Sequence, residues 1–163
     1  MRILRRIFRG LVAAAILGLI GGASASAKGI TIGAGSATYA NGDGKVVTFT
    51  VGSNTDSKKG LFLGYAADME FATIDDSDTA FAYGINLKAG YTMSNITAYA
   101  LFGYAAQTMS SIEAVGGGFG YGLMYQVSKK VAFAAESRDY SMDMAVGSYD
   151  YSTKTISLVY TMD

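Results

Sequence analysis

Histidine, cysteine, proline and tryptophan are all absent from the 163 residues. Without histidine there is no imidazole base, so Ser-His-Asp hydrolysis is excluded and the commonest ligand for a transition metal is missing. Without cysteine there is no disulfide, no thiol nucleophile and no thiolate metal site. Without proline no backbone position lacks a hydrogen-bond donor, which suits long strand ladders. Beyond residue 27 there is also no apolar run long enough for a membrane helix, although half the residues are hydrophobic. High hydropathy without helical spans fits strands that alternate between two solvents. What is abundant agrees: Gly at 21 and Tyr at 12 favour sheet over helix.

The first 27 residues read as an address. Arg2, Arg5, Arg6 and Arg9 precede an apolar core from Leu11 to Ile20, and Ala23 to Ala27 spells ASASA before Lys28. A charged start, a short apolar core and an A-x-A end are the parts of a secretory signal peptide, with cleavage expected after Ala27. Removal takes four arginines and no acid, leaving 13 − 4 = 9 basic and 13 acidic side chains, net 9 − 13 = −4. No basic patch remains that would suit nucleic acid. One domain, 28–163, is expected for the rest.

The stretch Thr79 to Tyr91, TAFAYGINLKAGY, carries the plainest pattern. One alternate set is Phe81, Tyr83, Ile85, Leu87, Ala89 and Tyr91; the other is Ala80, Ala82, Gly84, Asn86, Lys88 and Gly90. A strand points these sets to opposite faces. Small and polar residues fit a narrow barrel's interior, so the bulky face is expected to look outward into lipid. The pattern recurs in Phe119 to Val127, FGYGLMYQV, and less cleanly in Ile30–Tyr39, Val46–Gly52, Leu61–Phe71, Ile96–Gln107, Val131–Met142 and Thr153–Met162. In Ile96–Gln107 both alternate sets contain large residues, so its faces stay ambiguous. The prediction is an all-β, eight-stranded antiparallel up-and-down transmembrane barrel preceded by a signal peptide. Met109–Gly116 is expected to be its longest loop.

Connections sort by charge. Asp43, the Asp75/Asp76/Asp78 group, Glu113, Asp143 and Asp150 fall at one rim, and Lys58, Lys59, Lys129 and Lys130 at the other. Asp68, Glu70, Lys88, Glu136 and Arg138 fall on faces placed inside. Buried charge must be paired, so Arg138 is expected to reach Glu70 or Asp68 across the lumen, and Lys88 or Arg138 to pair with Glu136. These residues are read as a polar plug more than as a proton path or acid/base site, because eight strands leave an interior that side chains just fill. The run Asp75, Asp76 and Asp78 invites a calcium or magnesium reading, bridging to anionic lipopolysaccharide; a solvated loop is the plainer alternative. Tyr91 and Tyr125, at strand ends, read as interfacial girdle residues. No cofactor is called for.

The leader, the eight alternating strands, Tyr99-Ala100-Leu101-Phe102-Gly103-Tyr104, FGYGLMYQV and the inward Glu136 together resemble the small outer-membrane β-barrels of Gram-negative bacteria, the group of the OmpA transmembrane domain, OmpX and the opacity proteins. The resemblance implies an outer-membrane location, an inner cluster of ion pairs, and partners among outer-membrane lipid, lipopolysaccharide and the barrel-assembly machinery, with a host or surface ligand met through the loops. It implies a non-enzymatic structural, adhesive or envelope-maintenance role. The chain departs from the group's usual aromatic terminus, since Tyr160 is followed by Thr161, Met162 and Asp163. Two other classes stay in play: a soluble periplasmic lipocalin-like binder, which needs the large residues inward, and a membrane-embedded lipid-modifying enzyme, which would have to work without histidine.

Overall fold

Alternation of large and small residues produces eight strands in the computed structural model, which describes residues 26–39, 42–55, 59–74, 78–109 and 112–162. They are β1 (Ser26–Tyr39), β2 (Gly42–Thr55), β3 (Gly60–Ile74), β4 (Asp78–Met93), β5 (Ile96–Met109), β6 (Ile112–Gln126), β7 (Val131–Asp143) and β8 (Ser148–Met162). Every strand pairs antiparallel with its neighbours in sequence, and β1 pairs with β8, so the sheet closes into a barrel without an edge. The leader expected over 1–27 lies outside the described residues except for 26 and 27, whose backbone opens β1.

Register fixes the shape. From Ile32 the cross-strand partners run through Phe49, Met69, Tyr83, Ala106, Val115 and Asp143 to Ser148. The pairing of β8 with β1, in which Thr38 faces Ser152, sets Ser148 opposite position 42, so one circuit shifts the register by 42 − 32 = 10 residues. Such a stagger tilts the strands by roughly 35–45° from the barrel axis, and each residue then climbs about 2.5 Å along it.

The strands have 13 to 16 residues, more than the ~9–11 a tilted strand needs to cross a bilayer. The excess overturns one expectation. Met109–Gly116 is not a long loop: β5 runs to Met109, β6 resumes at Ile112, and the two ladders stay paired from Met109↔Ile112 down to Ile96↔Tyr125. Polar Thr108 and Glu113 sit directly opposite each other there. Their polarity suggested a loop, but a strand standing above the membrane meets water on its outer face and tolerates polar residues as well as a loop does. Ser148–Asp150 forms the end of β8 nearest the acidic rim. Where the chain does turn, Gly147 (φ 92°) and Ser94 (φ 57°) take left-handed conformations, which glycine adopts freely and serine only at some cost.

The faces partition as the inside-out pattern requires. Leu87, Phe102, Phe119, Tyr121, Leu123 and Ile156 are 59–72% exposed on the outer wall, the reverse of what a soluble ligand-binding barrel would need. Within the ambiguous β5, Thr97, Tyr99 and Leu101 are buried while Ile96 and Phe102 are exposed. Bulk is not confined to the outside, however: Tyr39, Phe62, Tyr99, Leu101, Tyr140 and Tyr151 are all buried in the lumen. Two of them fit because a neighbouring strand offers glycine. A Cβ on Gly122 would come within 2.5 Å of the Tyr99 ring, and one on Gly118 within 2.4 Å of the Tyr140 ring.

The outer wall is uneven in height. On β3 and β4 bulky apolar residues reach within three positions of the acidic rim (74 − 71 = 3 at Phe71, 81 − 78 = 3 at Phe81), and their two rings meet at 4.9 Å. On β7 and β8 the outward residues near that rim are Asp143, Ser141, Asp139 and Ser137, and Asp150, Ser152 and Lys154. Apolar side chains begin only eight positions down (143 − 135 = 8 at Ala135, 156 − 148 = 8 at Ile156). Five residues of axial rise make this a polar notch roughly 12 Å deep in the apolar belt.

Candidate functional site: a charge cluster across the lumen

Inward positions at mid-height bring Asp68 and Glu70 on β3, Asn86 and Lys88 on β4, and Glu136 and Arg138 on β7 towards the barrel axis. Arg138 spans the gap. One terminal nitrogen donates to Asp68 Oδ2 at 3.1 Å and to Glu70 Oε1 at 3.2 Å, both on the opposite wall. Its Nε and other terminal nitrogen donate to Glu136 Oε2 at 2.9 and 2.5 Å. Lys88 Nζ donates to Glu136 Oε1 at 2.5 Å, and lies 5.1 Å from the centre of the Tyr99 ring, a cation–π distance. The five predicted residues therefore form one connected set, with side chains only 4–13% exposed.

Three carboxylates face two cations, and neutral donors serve the acid in excess. Asp68 accepts from Thr50 Oγ1 at 2.8 Å and from the Asn86 amide. Glu70 accepts from the Tyr151 hydroxyl at 2.7 Å, and Glu136 from the Tyr99 hydroxyl at 2.7 Å. The Tyr140 hydroxyl in turn donates to Asn86 Oδ1 at 3.1 Å. Such completeness is what allows charge in a dry interior, because each unpaired ion would carry a desolvation cost of several kcal/mol. Thr50, Asn86, Tyr99, Tyr140 and Tyr151 were not singled out from sequence. Parity could have found two of them, since Asn86 shares its alternate set with Lys88 and Tyr140 shares its set with Glu136 and Arg138; the sets of Thr50, Tyr99 and Tyr151 carry no charge to mark them.

The lumen is closed above and below this network. Towards the acidic rim Tyr39, Tyr140 and Tyr151 stack across β1, β8 and β7, with ring centres 4.8 and 6.2 Å apart, and Met142 and Val46 pack against them. The Gln107 amide donates to the Tyr39 hydroxyl at 3.4 Å and its carbonyl accepts from Tyr149. Towards the other rim Phe62, Tyr99 and Leu101 fill the bore, the two rings 5.5 Å apart. The arrangement can lock opposite walls together and block a water column. Every ionisable group of the cluster is engaged by a protein partner, so it presents no free nucleophile or base.

The rim charges divide as expected where they are described: Asp43, Glu113, Asp143 and Asp150 at one end, Lys59, Lys129 and Lys130 at the other. Asp75, Asp76 and Lys58 lie outside the described residues, as does the side chain of Asp78. Among the described residues no set of three or more acidic side chains is placed to hold a metal ion. Tyr91 and Tyr125 point outward close to the basic rim, 52% and 53% exposed.

No protein-family model matches the chain, and no curated protein sequence does. Solved structures do. Neisserial surface protein A (NspA) superposes with a TM-score of 0.62 at 17% identity, over 86% of this chain and 99% of that one. The outer membrane enzyme PagL gives 0.57 at 10% identity, over 82% and 99%. Ail, the attachment invasion locus protein of Yersinia pestis, gives 0.54 at 11% identity, over 86% and 100%. At these identities what is shared is the architecture: the chain has the closed eight-stranded barrel fold of small Gram-negative outer-membrane proteins.

Proposed function

We propose that this chain is an exported outer-membrane barrel of a Gram-negative envelope with a non-enzymatic, structural or envelope-maintenance role. One observation carries the reading: a belt of bulky apolar side chains surrounds a lumen whose charges are all paired. Such a surface is stable only in hydrocarbon, and such a lumen is suited to bracing the wall rather than passing solute. The acidic rim supports a second, adhesive reading, in which strand ends rather than long loops meet a surface partner. Among the described residues the longest connections, Val127–Lys130 and Met144–Gly147, have four residues, so recognition would rest on side chains fixed by the barrel. The absence of histidine and the fully engaged lumen carboxylates weigh against a catalytic role of the kind PagL's description implies. Lipopolysaccharide and the barrel-assembly machinery are the partners this reading implies.

Purified protein refolded into vesicles and added to a planar bilayer tests it. The expected result is flotation with the vesicles and no steady conductance. A persistently open pore would overturn the plugged lumen, and protein left in the aqueous fraction would overturn the membrane assignment.

A further inference from the structure

The edge between polar and apolar side chains on the outer wall does not stop at the notch; it continues across β1 and β2. Cross-strand pairing carries one line of outward residues along it. Ser137 on β7 faces Lys154 on β8, Lys154 faces Ser36 on β1, Ser36 faces Lys45 on β2, and Lys45 faces Thr73 on β3. Hydroxyl and ammonium alternate through five strands, and the line holds no carboxylate. The next outward line towards the basic rim, paired in the same order, is Ala135, Ile156, Ala34, Val47 and Phe71, all apolar. The next towards the acidic rim is Asp139, Ser152, Thr38 and Asp43. Among the described residues no outward lysine or arginine meets the apolar edge on β3 to β6.

The two lysines are placed to act together. Both are exposed, and among the described residues neither forms a hydrogen bond or an ion pair. Their backbones flank Ser36 at two strand spacings, about 9.6 Å. The stagger of the barrel lifts the line about 3 Å from each strand to the next, which leaves Lys45 about 6 Å higher than Lys154. On flexible four-carbon stems both ammoniums can close on one anion above the Ser36 hydroxyl. A phosphate is the anion that accepts several charged donors at once. Exposed Ile156 (72%) and Val47 (52%) lie directly beneath it, so the site favours a phosphate that heads acyl chains over a water-soluble one, which would gain nothing from the apolar line. Above it a concavity of about 580 Å³ is lined by Thr38, Asp139, Ser141, Asp150 and Ser152. Hydroxyls and carboxylates are partners for the hydroxyls of a sugar. A Cβ on Gly117, which also lines the hollow, would meet nothing closer than 3.8 Å.

We propose that this face seats one lipopolysaccharide molecule by a phosphate of its lipid anchor. Lys45 and Lys154 clamp the phosphate over Ser36, the acyl chains lie on Ile156, Ala34 and Val47, and the sugar ring occupies the concavity. Hydrocarbon, phosphate and sugar follow one another in a phosphorylated glycolipid in the same order as the three lines of side chains, whereas a glycerol phospholipid has no ring to fill the hollow. The inference rests on the outer-membrane reading above and gives its lipid partner a fixed address on one side of the barrel.

Native mass spectrometry of the protein released from detergent micelles, supplied in turn with bisphosphorylated lipid A, the same lipid A with its phosphates removed, and phosphatidylglycerol, reads the retained lipid directly. The phosphorylated glycolipid is expected to be retained about tenfold more often than its dephosphorylated form, the worth of one charge-assisted hydrogen bond, and also more often than phosphatidylglycerol, which offers the phosphate without the sugar. K45Q/K154Q is expected to bring retention down to that of the dephosphorylated form. K129Q/K130Q, which removes the same charge at the opposite rim, is expected to leave the ratio unchanged. Gly117→Leu, which fills the hollow without changing charge, is expected to lower retention of both lipid A forms and preserve their ratio. Heat-dependent gel mobility establishes that each variant is folded. Equal retention of the two lipid A forms by the wild type, a phosphate preference that survives K45Q/K154Q or is lost equally in K129Q/K130Q, or retention of phosphatidylglycerol equal to that of lipid A would overturn the proposal. So would displacement of bound lipid A by dextran sulfate, which would assign the lysines to a water-soluble polyanion. Flotation of the wild type with vesicles is scored in parallel: its loss would mean that the membrane reading has failed, whereas intact flotation without phosphate preference condemns the clamp alone.

Discussion

The wall formed by β3 and β4 and the wall formed by β7 and β8 stand on opposite sides of one bore, yet they solve different problems. Outside, the first is apolar nearly to the acidic rim, with Phe71 and Phe81 in ring contact, and the second turns polar eight residues below it. Inside, the first supplies two of the carboxylates and the second supplies the arginine that reaches them. A barrel wall thus carries two independent messages on alternate residues. The outer one is written for the surrounding solvent and the inner one for the wall across the bore.

The sharpest way to break the comparison is to cut the link between the walls. Arg138→Met leaves Asp68 and Glu70 buried without their cation, and removal of one partner of a buried ion pair costs about 3–5 kcal/mol; urea unfolding in vesicles, followed by circular dichroism, should show that loss. The outer faces come next. Leu87→Lys places a charge where the wall meets mid-bilayer and is expected to cost about 2–4 kcal/mol, whereas Ser137→Lys, in the notch, should cost about 0–1 kcal/mol. Equal losses in the two variants would mean that the walls meet the same solvent. Tyr151→Phe removes the hydroxyl that donates to Glu70, for an expected loss of about 1.5–3 kcal/mol. Smallest is Gly122→Ala, whose single Cβ crowds the Tyr99 ring; overpacking of this kind costs about 1–3 kcal/mol.

Most of the fold was legible because a period of two survives any detail of packing. Phe81 to Tyr91 and Phe119 to Val127 announced their faces unaided, the recurrence of that alternation supplied the strand count, and the segregation of acidic and basic turns supported it. The predicted lumen residues could be placed for the same reason: Glu70 and Arg138 share parity with small neighbours. Legibility ended where the reading relied on size. Tyr99 and Leu101 are as bulky as the residues opposite them in parity, and only the cross-strand pairing of Tyr99 with Gly122 and of Leu101 with Gly120 shows that room exists inside. A single chain read in order does not reveal which glycine faces which ring. The region around residues 109–116 was misread for a related reason: polarity marks contact with water, and a ladder that rises out of the bilayer has that contact without breaking.

The junction between β1 and β8 joins positions as far apart in the chain as Lys28 and Met162. Until that seam is sewn, two rows of peptide groups lie bare, and hydrocarbon offers them nothing to bond with. Insertion is therefore all-or-none. A half-built cylinder has no resting state in the bilayer, and whatever escorts this polypeptide there must shield both raw margins until they meet.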